Sequence, residues 1–275
     1  MANTIDWGQG AVNNTNGFGK APTNNTIDFG EVCADSWSPE TNLTGTASTP
    51  SFSNTKSIEL DGIDDYVTFG NISNFSGATQ FTFSGWYKFN TVPAREGIFS
   101  ILVDNNNFFD VIMYDALTYV QLKVSGSSQY IQFNSLYFTQ NQWSHIIVAY
   151  DNSKSTYREK LKVYIDNVDI FYAINTALTS ALPTGTNTVT IGDTTRTSGV
   201  QLNGKVDECA VFSTQLSASD VATIYNNGVP NDISSLNPLS WWRFEGTGTT
   251  ATDSGSGGNN GTLTNGVTRS TDVPT

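Results

Sequence analysis

Apolar and polar residues alternate along most of the chain between residues 57 and 210, as expected of strands that bury one face. In the clearest stretch one face is aromatic, formed by Phe81, Phe83, Tyr87 and Phe89. The opposite face carries Thr82, Ser84, Trp86 and Lys88. Further strands are predicted over residues 98–103, 111–114, 119–124, 130–133, 143–150, 161–165, 188–191 and 206–212. Turn-forming Gly, Asn, Asp and Ser residues separate them, which predicts an all-β sandwich.

One short helix is predicted after these strands. Ser217 and Asp220 have the spacing of a capping box, and an apolar stripe follows them up to Tyr225. An Asn-Gly pair and then Pro230 end the helix. We expect it to lie on the sandwich as a lid.

The first fifty residues follow a different pattern. Three segments, TIDWG, TNGFG and TIDFG, begin at residues 4, 15 and 26, a constant step of eleven. Their aromatic residues, Trp7, Phe18 and Phe29, offer too little apolar surface for a core of their own. Two interpretations stay open: a disordered leader, or an extended arm whose aromatic residues occupy successive equivalent sites on a partner assembly.

Charge and composition exclude several classes of function. The chain has 13 Lys and Arg against 25 Asp and Glu, a net charge of −12 that repels nucleic acid and anionic membranes. Its start lacks the basic and apolar parts of a signal peptide, and no apolar run approaches the roughly 20 residues of a membrane span. We therefore expect folding in a cytoplasm.

Cys33 and Cys209 stand far apart, so we expect free thiols instead of a disulfide scaffold or zinc site.

Several motifs in order resemble those of laminin-G-like, concanavalin A-like jelly-roll domains. SIELDGIDDYV (57–67) is similar to the entry motif of that family, and FTFSGWYK (81–88) to the next strand. WSHIIVAYD (143–151), LKVYIDNV (161–168) and LNGKVDECAV (202–211) resemble its later core strands. The resemblance implies a jelly-roll sandwich, although such a fold alone does not define a ligand.

The C-terminal segment departs from the usual order of this family. LSWWRFE (239–245) and the Gly/Asn-rich stretch 250–263 resemble a segment that normally precedes the jelly roll. Adjacent termini tolerate permutation, and an unpaired Trp-Trp strand would expose a sheet edge. We therefore expect an arm over residues 1–50 and a jelly roll over 51–275, completed by residues 237–268. The alternative is the first strand of a truncated second domain.

Two candidate ligand sites follow from the residues and the resemblance. Sugars would require aromatic platforms with polar neighbours, for which the central strands offer Tyr114, Tyr119, Tyr130 and Tyr137, with Trp86 as a further candidate. Asp61, Asp64 and Asp65 cluster in one turn, and carboxylates suit calcium. The resemblance implies a structural calcium held by some of Asp65, Asp207 and Asp253; the alternative is that these acids are solvated turn residues.

Catalysis is not expected. Glucanases of this fold carry Glu-x-Asp-x-x-Glu on one strand, and the chain lacks that pattern. His145 is the single histidine and alternates with core positions, which predicts a packing role.

The repeated arm and the trailing Trp-Trp-Arg segment together resemble structural proteins of tailed marine phages. This resemblance implies a virion protein (a capsid decoration, head fibre or tail-associated protein) that contacts other virion proteins through the arm. It also implies a homo-oligomer and binding to host-surface polysaccharide. The rival hypothesis keeps the lectin-like domain but makes it a free carbohydrate-binding protein, and a glycan-cleaving enzyme is a third.

Overall fold

Two antiparallel sheets form the part of the protein that the structure describes. The computed structural model describes residues 52–92, 94–194 and 199–275. Sheet A contains β1 (Ser57–Asp61), β3 (Gln80–Phe89), β8 (Trp143–Asp151), β9 (Leu161–Ile165), β10 (Val168–Asp169), β13 (Asn203–Phe212), β14 (Ser240–Trp242) and β17 (Thr268–Ser270). Sheet B contains β2 (Tyr66–Gly70), β4 (Ala94–Asp104), β5 (Asn107–Asp115), β6 (Leu117–Val124), β7 (Ser127–Asn134), β11 (Ala173–Thr176), β12 (Thr188–Ile191), β15 (Thr250–Ala251) and β16 (Gly261–Thr264).

The order of the strands is that of a jelly-roll sandwich. Sheet A runs β10-β9-β8-β3-β13-β1-β17, with β14 also paired to β13, and sheet B runs β11-β7-β6-β5-β4-β12-β2-β16-β15. Neighbours in both sheets are antiparallel. The predicted all-β jelly roll is therefore confirmed.

The main core lies between the two sheets. The aromatic face predicted for β3 is there, and its four side chains have no exposed surface. Phe83 of sheet A stacks on Phe99 of sheet B with ring centroids 4.1 Å apart, and Phe81 meets Phe109 edge to face at 4.9 Å. Such contacts add to the stability that apolar burial supplies.

The predicted helix covers part of the outer face of sheet A. The first helix along the chain, α1 (Tyr157–Lys160), is a single turn. The predicted helix is the second, α2 (Ala218–Tyr225), and it begins with the predicted capping box of Ser217 and Asp220. It ends at Asn226, whose left-handed backbone (φ 43°) closes the last turn. The apolar stripe of α2 packs with outward side chains of β8 and β13 in a second cluster. Within the described residues, no helix has the length and apolar character needed to cross a membrane.

The C-terminal segment contributes strands to both sheets. β14 pairs with β13 and β17 pairs with β1 in sheet A, while β16 pairs with β2 in sheet B. Trp242 is fully buried, and its ring stacks on Phe69 with centroids 3.8 Å apart. Its indole Nε1 donates a hydrogen bond of 2.7 Å to the carbonyl of Asn259. The segment is therefore part of the hydrophobic core.

Candidate functional site

Two tyrosines form a pair on the outer face of sheet B. Along β6 and β7 the residues alternate, so that Val120 and Ile131 enter the core while Tyr119 and Tyr130 face outward. The ring centroids of the two tyrosines are 6.0 Å apart with an angle of 46° between the planes. Both side chains are half-buried. Two predicted glycan-site residues thus meet on an outer face of the sandwich.

Polar residues extend from this pair across the sheet. Tyr130 lies opposite Gln121, which lies opposite Asp110, which lies opposite Ser100. The Gln121 amide donates to Asp110 Oδ2 at 3.4 Å, and the Ser100 hydroxyl donates to Asp110 Oδ1 at 2.7 Å. Gln132 is the partner of Tyr119. This polar row was not predicted, because register between strands decides which residues are neighbours.

The other aromatic candidates lie elsewhere. Tyr114 is 40% exposed near the end of β5, with the guanidinium of Arg95 4.2 Å from its ring centroid. Tyr137 is 44% exposed in the turn after β7, and its ring meets Phe133 at 6.1 Å. Trp86 is only 3% exposed and stacks on Tyr225 of α2. It therefore offers no platform to a sugar.

Three carboxylates converge in the turn between β1 and β2. Oxygens of Asp61, Asp64 and Asp65 lie within 4.8 Å of one another. Asp61 and Asp65 border a cleft of about 270 Å³ that is also lined by Asn203 and Asn265. Burial raises the pKa of Asp65, the hydrogen bond from the Asp61 N–H opposes this, and the negative charges of Asp61 and Asp64 raise it further. Hard oxygen donors of this kind suit calcium.

The structure does not bring Asp207 or Asp253 into this cluster. Asp207 is fully buried in β13, where it accepts hydrogen bonds from the Asn54 amide at 2.9 Å and the Glu208 N–H at 2.8 Å. Burial, and then the charge of Glu208, raises its pKa well above the usual range. Asp253 accepts hydrogen bonds from the N–H groups of Trp241, Gly255 and Asn259. Asp207 thus holds the residues before β1, and Asp253 holds the C-terminal segment.

Two buried glutamates were not predicted. Glu208 accepts hydrogen bonds from the Trp241 indole at 2.6 Å and from Arg243 at 3.2 Å, while burial raises its pKa to about 7. Glu96 of β4 is 2% exposed, and its Oε2 accepts a hydrogen bond of 2.6 Å from the backbone N–H of Asn203. Burial raises the pKa of Glu96 to about 8. Nothing in the local sequence marks either residue as buried.

His145 lies in a closed environment beneath α2. Its Nε2 is 2.8 Å from the hydroxyl of Ser84, and its ring stacks on Trp86 with centroids 4.7 Å apart. The residue is 1% exposed, and burial lowers its pKa to about 3. A serine and a histidine in contact can form a nucleophilic pair, but here both are covered from substrate.

Three predicted anchors, Trp7, Phe18 and Phe29, lie outside the described residues, as does Cys33. Cys209 lies within them and carries a free, fully buried thiol. Burial raises the pKa of that thiol well above its usual value, so it is held in the unreactive protonated form.

The two facing sheets and the helix on one outer face define a lectin-like jelly roll. The family profile of the concanavalin A-like lectin/glucanases superfamily matches residues 61–222. This chain belongs to that family. Its fold resembles lectin and carbohydrate-binding domains, which are non-catalytic, and no site among the described residues positively indicates catalysis.

Several solved structures are similar to this chain, and the first below shares its fold. A putative carbohydrate-binding protein from Bacteroides ovatus is 16% identical with a TM-score of 0.56, over 81% of this chain and 62% of that protein. A heptameric SAP-like pentraxin from Limulus polyphemus is 17% identical with a TM-score of 0.46, over 62% of this chain and 82% of that one. The receptor-binding domain of a botulinum neurotoxin C/D mosaic serotype is 14% identical with a TM-score of 0.42, over 62% and 46%. No curated protein sequence matches significantly.

Proposed function

We propose that this protein is a non-catalytic carbohydrate-binding component of a phage particle. The observation that carries the binding part is the outward-facing pair of Tyr119 and Tyr130 beside a polar row on sheet B. Aromatic rings pack against the C–H faces of sugars, while hydroxyl and amide groups hydrogen-bond to sugar hydroxyls. The Bacteroides ovatus protein of similar fold, itself described as putatively carbohydrate-binding, agrees with this assignment.

The charge of the protein points to uncharged glycans. At a net charge of −12 the chain repels polyanionic polysaccharides over a distance of about 8 Å at physiological salt. Tyr119, Tyr130 and Gln121 present only neutral groups to a ligand on the outer face. A shallow site of this kind binds weakly, and many copies on one particle would increase the total affinity.

Removal of either tyrosine ring should weaken glycan binding. We expect Tyr119→Ala and Tyr130→Ala to raise the dissociation constant of a neutral oligosaccharide by about tenfold each, because each loses one aromatic contact face. The oligosaccharide is first chosen by applying the full-length protein to an array of neutral and anionic bacterial and algal glycans, and is then titrated by calorimetry.

Tyr157→Ala is the matched control, since Tyr157 is 52% exposed on α1, away from sheet B, and its loss should leave the affinity unchanged. Equal affinity of the wild type and both sheet B variants would refute the assigned face. Release of reducing ends from the glycan would instead indicate an enzyme.

Attachment to the particle is assigned to the repeated arm. The constant step of eleven residues between Trp7, Phe18 and Phe29 suits equivalent sites on a repeating assembly. We expect full-length protein to cosediment with phage particles assembled without it, and a variant with all three aromatic residues changed to alanine to stay in the supernatant.

Phe171→Ala is the control for that experiment, because Phe171 is a 79% exposed aromatic residue outside the arm. It should sediment like the wild type. If the wild type and the triple variant sediment equally, or if neither does, the virion role fails, and the free carbohydrate-binding protein becomes the better hypothesis.

A further inference from the structure

Tyr114, at the end of β5, lies on the same outer face of sheet B as the pair of Tyr119 and Tyr130. Its neighbour Met113 belongs to the main core, so alternation along the strand turns Tyr114 outward. Tyr114 is 40% exposed, and Tyr119 and Tyr130 are half-buried. Each of the three side chains therefore keeps exposed surface on one face of the sheet.

The register of the strands places the three tyrosines on one diagonal, which we call the tyrosine line. Tyr114 lies opposite Leu117, two residues before Tyr119 on β6. Tyr119 lies opposite Gln132, two residues after Tyr130 on β7. Because neighbouring strands are antiparallel, each step to the next strand moves two residues in the same direction across the sheet. Diagonal neighbours of this kind are about 7–8 Å apart, so the line is about 15 Å long.

Neutral side chains flank the tyrosine line. Ile112 and Leu117 lie on either side of its first interval, from β5 to β6. Gln121 and Gln132 lie on either side of its second interval, from β6 to β7. The line thus combines aromatic rings with aliphatic and amide groups, which suit the C–H faces and the hydroxyl groups of uncharged sugars.

Arg95 stacks against the ring of Tyr114. Its guanidinium lies 4.2 Å from the ring centroid and donates two hydrogen bonds of 3.3 Å to the carboxylate of Asp115. The ion pair adds no net charge to this end of the line. Because the cation covers one side of the ring, the orientation of the ring is restricted, and less freedom is lost when a ligand packs against its other side.

We infer that the tyrosine line binds a linear, uncharged glycan chain that is long enough to contact all three rings. The inference rests on the proposed carbohydrate binding and adds to it a third aromatic contact and a selection for chain length. A short oligosaccharide can occupy the interval between Tyr119 and Tyr130, whereas only a longer chain also reaches Tyr114. Affinity should therefore increase with chain length until the third ring is contacted.

The test is calorimetric titration of the full-length protein with linear oligosaccharides of increasing length, from a disaccharide to a hexasaccharide. All are taken from one neutral glycan that binds on the array. We expect the wild type to bind the hexasaccharide about tenfold more tightly than the disaccharide, because one more aromatic contact is made. Tyr114→Ala should keep the wild-type affinity for the disaccharide and lose this gain for the hexasaccharide.

Two further variants serve as controls. Tyr114→Phe keeps the aromatic ring, so it should keep the gain with chain length. Tyr157→Ala, which changes an exposed tyrosine on α1, should match the wild type at every length.

An equal gain in the wild type and in Tyr114→Ala would overturn the inference, because a longer chain also gains affinity by offering more positions to the other two rings. So would a wild type that binds all lengths equally. In both cases binding that depends on Tyr119 and Tyr130 would remain, and with it the carbohydrate-binding proposal. Absence of binding at every length would refute both.

Discussion

Trp242→Ala is expected to lower the free energy of unfolding by about 3–5 kcal/mol, the usual cost of emptying a large aromatic site in a core. Trp242 has no exposed surface, stacks on Phe69 at 3.8 Å and donates its indole N–H to the Asn259 carbonyl. Alanine would leave a cavity between the sheets and an unpaired carbonyl. Urea denaturation of the full-length protein, followed by tryptophan fluorescence and by circular dichroism, measures the change.

Phe171→Ala is the control, since Phe171 is 79% exposed, and loss of its surface contact with the Arg158 guanidinium, 5.4 Å from the ring centroid, should cost no more than about 1 kcal/mol. A Trp242 variant as stable as this control would mean that residues 237–268 are dispensable to the sandwich. The alternative of a truncated second domain would then regain support.

Stability is expected to fall as the pH rises from 5 to 9, because burial raises the pKa values of Glu96, Asp207 and Glu208. Burial raises the pKa of Glu96 from 4.5 to about 8 in the folded protein. The folded state therefore holds a proton that the unfolded chain releases above pH 4.5. The stabilising contribution is complete below that pH and is lost as the pH approaches 8. Each pKa unit corresponds to about 1.36 kcal/mol, so this interval corresponds to about 5 kcal/mol.

Glu96→Gln should flatten this dependence. A glutamine oxygen can still accept the hydrogen bond from the Asn203 N–H, but the side chain cannot ionise. Urea denaturation at pH values from 5 to 9 would compare the slopes of the wild type and the variant. Asp207 and Glu208, whose pKa values burial also raises, should leave a smaller slope in the variant.

Glu159→Gln serves as the control, because that glutamate caps α1 and its pKa is lowered by hydrogen bonds from Thr156. Its titration falls below this pH range, so its slope should match the wild type. Identical slopes in the wild type and Glu96→Gln would show that Glu96 is ionised in the folded protein.

Much of the fold could be predicted from short-range sequence patterns. The capping box of Ser217 and Asp220 marks the start of α2 within the sequence itself. Alternation likewise separates core-facing Phe81 from outward Trp86, since period two is a property of the strand alone. Alternation does not tell whether an outward face is open, and α2 covers Trp86, which therefore failed as a sugar platform.

The candidate sites were harder to predict because they depend on distant residues. Asp64 and Asp65 are neighbours in sequence, but Asn265 joins their turn only through the pairing of β16 with β2. The contact of Tyr119 with Tyr130 requires the register between β6 and β7. Glu96 has an exposed neighbour in Arg95, and only the approach of Asn203 shows that its carboxylate is enclosed.

The pairing of β1 with β17 also determines how the domain responds to force. Ser57, the first residue of β1, lies opposite Ser270, the last residue of β17. Tension applied at these two ends would act on one end of the antiparallel pair and break its hydrogen bonds one after another, as in a zipper. The hydrogen bonds between β1 and β17 would therefore open in sequence from this end. Pulling along the strand direction would instead load several hydrogen bonds at once.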